Sequence, residues 1–361
     1  MEQPPDAFDA IAGTSYEAER EDVVAHIASA PDQAGLQRAA AAIRSLARGM
    51  TGHFHARIIT DTISALNDQL TRAVIDQCTA SCEPPVAPWC WIALGSEGRQ
   101  EQTIASDQDN GIVFDNAGAA DAHRELLLPL ARRINEALAA CGFPLCRGGI
   151  MASNPHWCLS VHEWRERFHG WIAESDPQAL LNATIFFDLR PLHGDCGLAR
   201  QLLDWLARNA SDNPRFLFQM AENALRRQPP IGLLRDFAVE RGGEFEGTID
   251  LKLQAATLFV DAARVYGLAC ASPGSNSAVR LHHATAAHYL GVGEVEEWVD
   301  AFYLVQGLRL KNQLAGATTP NRINPYALAH ADRRALSRAL HQARALQNHM
   351  ERAFLINAQG I

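Results

Sequence analysis

One part of the chain, residues 89–152, departs from a sequence pattern that is otherwise helical. It opens with Trp89 to Leu94, a wholly apolar run of the kind that forms a strand buried on both faces. Gly95-Ser96 ends the run, because glycine next to a small polar residue favours a turn. The pattern then predicts a second strand, a helix and a third strand, at residues 111–114, 119–141 and 145–152. This order of elements defines a small α/β unit.

Helical periodicity surrounds that unit on both sides. Before it, apolar residues recur every three or four positions along one helix face: Ile59, Ile63, Leu66, Leu70 and Val74. Glu83-Pro84-Pro85 ends this region, because proline disfavours helix at its own position and at the residue before it. After Val161 the pattern is helical almost to the C-terminus, with amphipathic stripes that are typical of a helical core.

These patterns together predict an α+β, mostly helical fold with a small α/β core flanked by helices. We expect an N-terminal helical region at 1–85, an α/β domain at 86–230 and a C-terminal helical domain at 231–361 that closes one side of the cleft. The last helix of the third part carries a single apolar stripe, formed by Leu336, Leu340, Ala343, Leu346, Met350 and Phe354.

Charge and composition argue against several classes of protein. With 41 acidic and 32 basic residues the net charge is -9, and the lack of a basic block argues against binding to a nucleic-acid backbone. No apolar run approaches the ~20 residues of a membrane span. Residues 1–6 lack the features of a signal peptide, so we expect a cytoplasmic protein without a membrane partner. The eight cysteines include no C-x-x-C pair and are expected to be reduced thiols.

The residues after the first strand have the features of a phosphate-binding turn. Gly95 lacks the Cβ that would block close approach of an anion to the backbone, and Ser96 adds a hydroxyl donor at the start of a short helix. Arg99, one turn later, has a planar guanidinium that can hold the same phosphate. Lys252, at a predicted helix start, is either a phosphate ligand that reaches across a domain cleft or a helix-flanking charge.

Two aspartates ahead of the second strand predict a metal site. Asp107 and Asp109 lie two positions apart, so their side chains leave the same face of an extended segment. Adjacent carboxylates repel each other unless a divalent cation neutralises them, and hard oxygen ligands suit Mg²⁺. An anion-binding turn and a Mg²⁺ site about ten residues apart are what transfer of a nucleotidyl or phosphoryl group requires. The G-x-x-x-x-G-K-[ST] loop of P-loop kinases and ATPases is absent.

The two motifs together resemble the signature of the polymerase-beta-type nucleotidyltransferase superfamily. More closely, residues 95–103 (GSEGRQEQT) and 106–110 (SDQDN) resemble nucleotidyltransferases related to protein-PII uridylyltransferase. These are bacterial proteins of signal transduction, often preceded by cyclic-nucleotide-binding and CBS modules. The resemblance covers most of the chain, because it continues through segments at 149–155, 186–191, 249–252 and 308–310.

The resemblance implies a nucleotidyltransferase core, a Mg²⁺ cofactor and transfer of a nucleoside monophosphate from UTP or ATP to an acceptor hydroxyl, with a protein as the acceptor. Gly95 and Ser96 would hold the triphosphate, while Asp107 and Asp109 would ligate Mg²⁺. The alternative is a nucleotide-binding regulatory protein that has lost turnover. The sequence does not fix the donor nucleotide, the acceptor or the oligomeric state.

The sequence departs from that superfamily at the third carboxylate, which many members place on the neighbouring strand as general base. The predicted third strand, residues 145–152, contains no Asp or Glu. Asp188 is the best substitute as a catalytic residue, in an apolar segment predicted to be helical, and a structural pair with Arg190 is an equal alternative. Asp115 is a weaker candidate, because it follows its strand beside Asn116 and is expected to open a turn.

Overall fold

The structure is a computed structural model that describes residues 7–81, 87–115, 120–174, 183–232 and 236–356. Most of these residues are helical, and the predicted break at Glu83-Pro84-Pro85 lies outside them. The α-helices are α1 (Ala7–Ala28), α2 (Gln33–Met50), α3 (Ala56–Ala80), α4 (Gly95–Gly98), α5 (Ala120–Ala140), α6 (Val161–Glu174), α7 (Cys196–Ser211), α8 (Pro214–Leu225), α9 (Thr257–Ala269), α10 (Ser277–Ala286), α11 (Val292–Leu314) and α12 (His330–Glu351). Short 3₁₀ or π turns lie at Pro155–Trp157, Lys252–Ala256, Pro325–Ala327 and Arg352–Ile356.

A mixed sheet lies at the centre of the described chain. Its strands are β1 (Trp89–Ala93), β2 (Asn110–Phe114), β3 (Cys158–Ser160) and β4 (Arg190–Gly194), in the spatial order β3-β2-β1-β4. β1 is antiparallel to β2 and β4, and β2 is parallel to β3. The first two predicted strands and the helix that follows them are confirmed as β1, β2 and α5. A short second sheet pairs β5 (Ile249–Asp250) with β6 (Arg322–Ile323).

Two expectations about the sheet are wrong. The third strand is β3 rather than residues 145–152, which contain turns and only lie against the end of β2, where the Asn110 N–H donates to the Ile150 carbonyl oxygen at 3.2 Å. The helical pattern after Val161 is interrupted by β4, an edge strand that is mostly half-buried and therefore lacks the apolar run of a buried strand. Proline within it, Pro191, is compatible with an edge position.

The two faces of the sheet pack into two different hydrophobic cores. Side chains alternate along β1, so Trp89, Trp91 and Ala93 pack into the core formed with α1 to α3 and α5. Cys90 and Ile92 point the other way, into the core that β1 shares with α6 to α12. The α/β unit is therefore held between the N-terminal and the C-terminal helices.

The predicted helical stripes pack as expected. All five stripe residues of α3 are buried, and so are the stripe residues within α12. In α5 the spacing predicts a stripe of Leu126, Leu130, Ile134 and Leu138, of which the last three are buried, whereas Leu126 is exposed and Leu127 is buried instead. The α+β, mostly helical fold is thus confirmed. Within the described ranges, no helix has the length and apolar character needed to cross a membrane.

Candidate active site

The turn after β1 brings the backbone of Gly95 against the side chain of Asp109. Gly95 has a φ of +53°, and a Cβ at this position would lie 2.6 Å from Asp109 Oδ2. Glycine is required here both by the backbone conformation and by this contact. The Leu94 N–H donates a hydrogen bond of 2.9 Å to the Asp109 carbonyl oxygen and holds the two segments together. The predicted phosphate turn and the predicted metal ligands therefore meet.

Gly95 and Ser96 begin α4, which is a single helical turn. So short a helix has little macrodipole, and anion binding at this turn depends on its backbone N–H groups, which have no intrahelical partner, and on the Ser96 hydroxyl. The other end of the turn is fixed by Gly98, where a Cβ would lie 2.1 Å from the Asp188 carbonyl oxygen. Glycines at both ends thus let the turn pack between two aspartate-bearing segments.

Asp107 and Asp109 flank a buried amide that points to the opposite side. The Gln108 side chain donates to the carbonyl oxygens of Asn135 at 3.0 Å and Phe143 at 2.9 Å. The Asn135 amide in turn donates to Asn110 Oδ1 at 3.0 Å. Because neighbouring side chains of an extended segment leave opposite faces, anchoring Gln108 in the core turns both aspartates outward together. The local sequence thus determines the common direction of the two carboxylates.

Asp107, Asp109 and Cys146 form a group whose ligating atoms lie within 4.8 Å of one another, the one group of three His, Cys, Asp or Glu side chains with this spacing in the described part of the chain. Burial and the neighbouring charge of Asp107 raise the pKa of Asp109 to about 7. Such mutual repulsion fits a site for a divalent cation, and the two hard oxygen donors fit Mg²⁺. Cys146, a softer donor, lies on the segment 145–152 that lacks a carboxylate.

A small cavity of about 50 Å³ in this region is lined by residues from both halves of the chain. Ser96 and Arg99 come from the α/β unit, while Lys252 and Arg309 come from the C-terminal helices. Lys252 Nζ lies 3.7 Å from Asp107 Oδ1. The structure therefore brings three of the predicted phosphate ligands to one cavity and places Lys252 beside the aspartates. Their roles remain predictions.

Arg309, which the sequence analysis does not assign to the site, lines this cavity without a counter-ion. The residue is 6% exposed, and its guanidinium donates to amide oxygens, those of Asn321 at 3.1 and 3.2 Å and that of Gln306. No carboxylate of the described residues pairs with it within 4.0 Å. Burial lowers the pKa of Arg309 to about 10. The charges of Asp250 and Glu101 offset part of this effect, and Glu101 lines the same cavity, so its wall combines three cations with one carboxylate that is paired with Arg99.

Arg99 already has two carboxylate partners. Its Nε donates to Glu101 Oε2 at 2.8 Å and its Nη1 to Asp188 Oδ2 at 2.6 Å. The Arg99 side chain is 13% exposed and lines the cavity. A phosphate in the cavity would share this guanidinium with the two acids, so the direct clamp predicted from the sequence stays a prediction.

Asp188 lies at the centre of three arginines, a group that we call the Asp188 cluster. Besides Arg99, Arg264 of α9 donates to its oxygens at 2.7 and 3.1 Å, and Arg280 of α10 donates at 2.5 Å. Burial alone would raise the pKa of Asp188, but the three guanidinium groups hold it well below its usual range. A general base needs a pKa near the working pH and contact with the acceptor hydroxyl. The fully buried Asp188 side chain instead has the geometry of a structural ion pair.

The expected pair of Asp188 with Arg190 is wrong. Arg190 donates to Asp68 Oδ1 at 2.7 Å and to the carbonyl oxygens of Glu97 and Gly98 at 3.0 and 3.3 Å. Its side chain is occupied in satisfying the last carbonyl groups of α4. Asp115 follows β2 at the end opposite to Asp109 and is exposed. It therefore lies away from the aspartate pair.

Two residues of the site were missed by sequence reasoning for different reasons. Cys146 has no ligand partner at a recognisable spacing in its own segment, so the sequence favours a structural cysteine, and only the fold places it beside Asp107 and Asp109. Arg309 lies on α11, about 200 residues from the turn in sequence, and resembles any other arginine on a helix. Only the fold shows that Arg309 is buried and that no carboxylate of the described residues pairs with it within 4.0 Å.

A glycine turn beside paired carboxylates, faced by cations from a second set of helices, is an arrangement with the chemistry to hold a metal ion and a phosphate. Residues 41–178 match the model of the family described as putative nucleotidyltransferase DUF294, and residues 214–354 match the model described as putative nucleotidyltransferase substrate binding domain. The two matches support the assignment of the chain to a nucleotidyltransferase family. No curated protein shows significant similarity to the chain.

Proposed function

We propose that this protein is a Mg²⁺-dependent nucleotidyltransferase of bacterial signalling that moves a nucleoside monophosphate from UTP or ATP to a hydroxyl group, with a protein as the acceptor, in the cytoplasm. The observation that carries the proposal is that Asp107 and Asp109 lie beside the Gly95 turn and next to a cavity whose lining includes three cations and the carboxylate of Glu101. In this proposal residues 86–230 form the catalytic domain, 231–361 supply part of the nucleotide site, and 1–85 support the core.

The proposed reaction is an in-line displacement at the α-phosphorus. The acceptor oxygen forms a bond to the α-phosphorus while the bond from that phosphorus to the bridging β-oxygen breaks, so NTP and R–OH give R–O–NMP, pyrophosphate and a proton. Asp107 and Asp109 would hold Mg²⁺, which when bound neutralises charge on the phosphates. The N–H groups of the Gly95 turn and the Ser96 hydroxyl would orient the triphosphate.

The cations of the C-terminal helices complete the proposed nucleotide site. A triphosphate in the cavity would give Arg309 the counter-ion that it lacks and would draw Lys252 from Asp107 to phosphate oxygens. Asp188 would act as a positioning residue, because its pair with Arg99 fixes that guanidinium at the cavity wall. The matched substrate-binding model covers both Lys252 and Arg309, which supports a role of this half in binding.

A second candidate function is a nucleotide-binding regulatory protein without turnover. The observation that favours it is the composition of the metal group, in which a thiol rather than a third carboxylate accompanies the aspartate pair in the described residues. Binding of Mg²⁺ and nucleotide needs the pair alone, whereas deprotonation of an acceptor hydroxyl benefits from another base. The two candidates therefore share the binding site and differ in transfer.

Nucleotide binding is tested by calorimetry with non-hydrolysable UTP and ATP analogues, with and without Mg²⁺. Asp107→Asn and Asp109→Asn should each remove the Mg²⁺-dependent part of the affinity, on the order of a hundredfold, because each loses a charged metal ligand. The matched control is Asp115→Asn, an exposed aspartate at the other end of β2. Unchanged Mg²⁺–nucleotide binding in both active-site variants would overturn the site.

Transfer is tested with UTP and ATP that carry a label on the α-phosphate, incubated with the protein, Mg²⁺ and fractions of a bacterial extract as acceptor source. The enzyme proposal expects label on an acceptor protein together with released pyrophosphate, and both signals should be lost in Asp109→Asn. Tight nucleotide binding with no label transfer to any fraction would instead favour the regulatory protein.

A further inference from the structure

A larger cavity, of about 570 Å³, shares no lining residue with the cavity beside Asp107. It lies between α7, the region of β4, and residues 271–276, which connect α9 to α10. This volume is in the range of sites that hold small molecules. None of the residues assigned above to the metal group or to the phosphate ligands lines it.

The inner wall of this cavity is apolar and tightly packed. Phe187, Leu189, Leu206 and Leu268 all line it, and each is less than 10% exposed. Such a wall favours an apolar group and offers it no hydrogen bond. The occupant must therefore contain a hydrophobic part.

Four charged side chains line the cavity; Arg190 and Arg280 have carboxylate partners, and the other two have no ion-pair partner among the described residues. Arg200 and Asp204 line the cavity from consecutive turns of α7, and both are exposed. They do not form an ion pair with each other within 4.0 Å, and among the described residues neither side chain has another hydrogen-bond or ion-pair partner. Because they are four positions apart they point to the same side of the helix. One cation and one anion side by side are complementary to a ligand that carries both charges.

The connection from α9 to α10 forms another part of the lining. Ala271 has a φ of +49° and Gln100, which also lines the cavity, has a φ of +56°, two of the three non-glycine residues with positive φ in the described chain. The hydroxyl of Ser272 is buried without a hydrogen-bond partner among these residues. Both left-handed residues directly follow a helix end, where the Ser272 N–H donates to the Gly267 carbonyl oxygen at 2.8 Å and the Glu101 N–H donates to the Ser96 carbonyl oxygen at 2.9 Å, the usual helix C-cap. The buried Ser272 hydroxyl is therefore the group in this part of the lining that a ligand could satisfy.

We propose that this cavity is a binding site for a free α-amino acid with a hydrophobic side chain. The carboxylate of the ligand pairs with Arg200, its ammonium group pairs with Asp204, and its side chain packs on the apolar wall of Phe187 and Leu206. Each part of the ligand thus meets the part of the cavity with complementary chemistry. The proposal does not depend on nucleotide binding at the other site.

The test is calorimetry of L-phenylalanine and L-leucine on the full chain without nucleotide, together with two analogues of phenylalanine. 3-Phenylpropionate lacks the ammonium group and 2-phenylethylamine lacks the carboxylate. We expect saturable binding of the amino acids and at least ~10-fold weaker binding of both analogues, because each loses one charge-assisted contact. Arg200→Gln and Asp204→Asn should each weaken phenylalanine binding by a similar factor.

Arg208→Gln is the matched control, because Arg208 is an exposed arginine of α7 that does not line the cavity, and it should bind phenylalanine as the unchanged protein does. All three substitutions replace exposed side chains, and circular dichroism verifies that the variants are folded. The proposal is overturned if neither amino acid binds at concentrations up to about 10 mM. It is also overturned if both analogues bind as well as phenylalanine, or if Arg200→Gln and Asp204→Asn bind it unchanged.

Discussion

The protein contains two groups of titratable side chains, one partly exposed and one buried, in which the carboxylates have opposite electrostatic surroundings. In the metal group, Asp109 lies beside Asp107, and its pKa is raised to about 7 by burial and by that charge. In the Asp188 cluster a single carboxylate receives three guanidinium groups, and its pKa is held well below the usual range. One group has an excess of negative charge and the other has an excess of positive charge around one acid.

The difference separates a binding site from a structural contact. Incompletely compensated charge of one sign is tolerated in a fold when a ligand of the other sign completes it. The aspartate pair, with Lys252 as its neighbouring cation, and Arg309, with no carboxylate of the described residues within 4.0 Å, are both in this condition. Asp188 is compensated by the protein itself, with Arg99 on one side and arginines of two C-terminal helices on the other. We therefore expect Asp188 to stabilise the arrangement of the halves rather than a transition state.

The largest expected effect is the loss of stability on Asp188→Asn. Removing the charge leaves three buried guanidinium groups without their common partner, and breaking a buried ion pair in this way costs about 3–5 kcal/mol. We expect the melting temperature to fall by on the order of 10 °C. Because the folded pKa is lowered, the stabilisation by Asp188 in the unchanged protein is present above pH ~4 and is lost in stronger acid.

Thermal unfolding at pH 7 measures this effect. Asp109→Asn serves as the comparison, because it removes a carboxylate that lies beside another carboxylate rather than among three arginines. A small loss of stability for Asp188→Asn, combined with a large loss of nucleotide transfer, would return Asp188 to the role of general base.

A smaller effect, on the affinity for triphosphate, is expected for Arg309→Gln. This substitution removes the buried guanidinium that has no ion-pair partner among the described residues. Affinity for triphosphate should fall about ten- to a hundredfold, the size of one lost charge-assisted hydrogen bond, while affinity for the nucleoside changes little. Stability should stay the same or rise, because the uncompensated charge is gone.

Arg264→Gln is the matched comparison for Arg309→Gln, since Arg264 is also buried on a C-terminal helix but pairs with Asp188 and Asp261. It should lower stability, as expected for an arginine that has carboxylate partners. Titration calorimetry and urea unfolding distinguish the two variants. Equal loss of stability in both would mean that Arg309 is structural as well.

The smallest effect is the pH dependence of stability at Asp109, measured without metal in the presence of a chelator. The folded pKa of about 7 lies above the value of 3.8 for a free aspartate, so the folded state binds more protons between these values and loses stability as pH rises through them. Asp109→Asn removes this loss. We expect its melting temperature to exceed that of the unchanged protein at pH 8, on the order of 2 °C, and by less at pH 5. An equal difference at both pH values would contradict the raised pKa.

The sequence predicts the parts of the fold and site that depend on local patterns. The apolar runs give β1 and β2, and the turn between them brings Gly95 to Asp109 within fifteen residues of chain. β4 was not predicted, because most of its residues are half-buried at the sheet edge. Its sequence therefore lacks the apolar run or the alternation of apolar and polar residues by which a strand is recognised. The β3 error has a similar cause, since only three residues form that strand.

The contacts of Asp188 and Arg309 cannot be predicted from local sequence patterns. Asp188 pairs with arginines 76 and 92 residues further along the chain, and Arg309 faces Ser96 from the opposite half. Pairing of charged side chains at such separations depends on helix packing and leaves no periodicity in the sequence. An apolar segment around Asp188 indicates only that the acid needs a partner.

The Asp188 cluster also restricts how the protein can be divided. Asp188 lies between the two matched segments, and two of its three arginines belong to the C-terminal one. A fragment that stops before α9 would keep a buried carboxylate with Arg99 as its remaining cluster partner. A fragment that starts after residue 213 would leave Arg264 and Arg280 without Asp188, with Asp261 still paired to Arg264. Exchange of the C-terminal half between relatives should therefore succeed only where the incoming half carries arginines at the positions of Arg264 and Arg280.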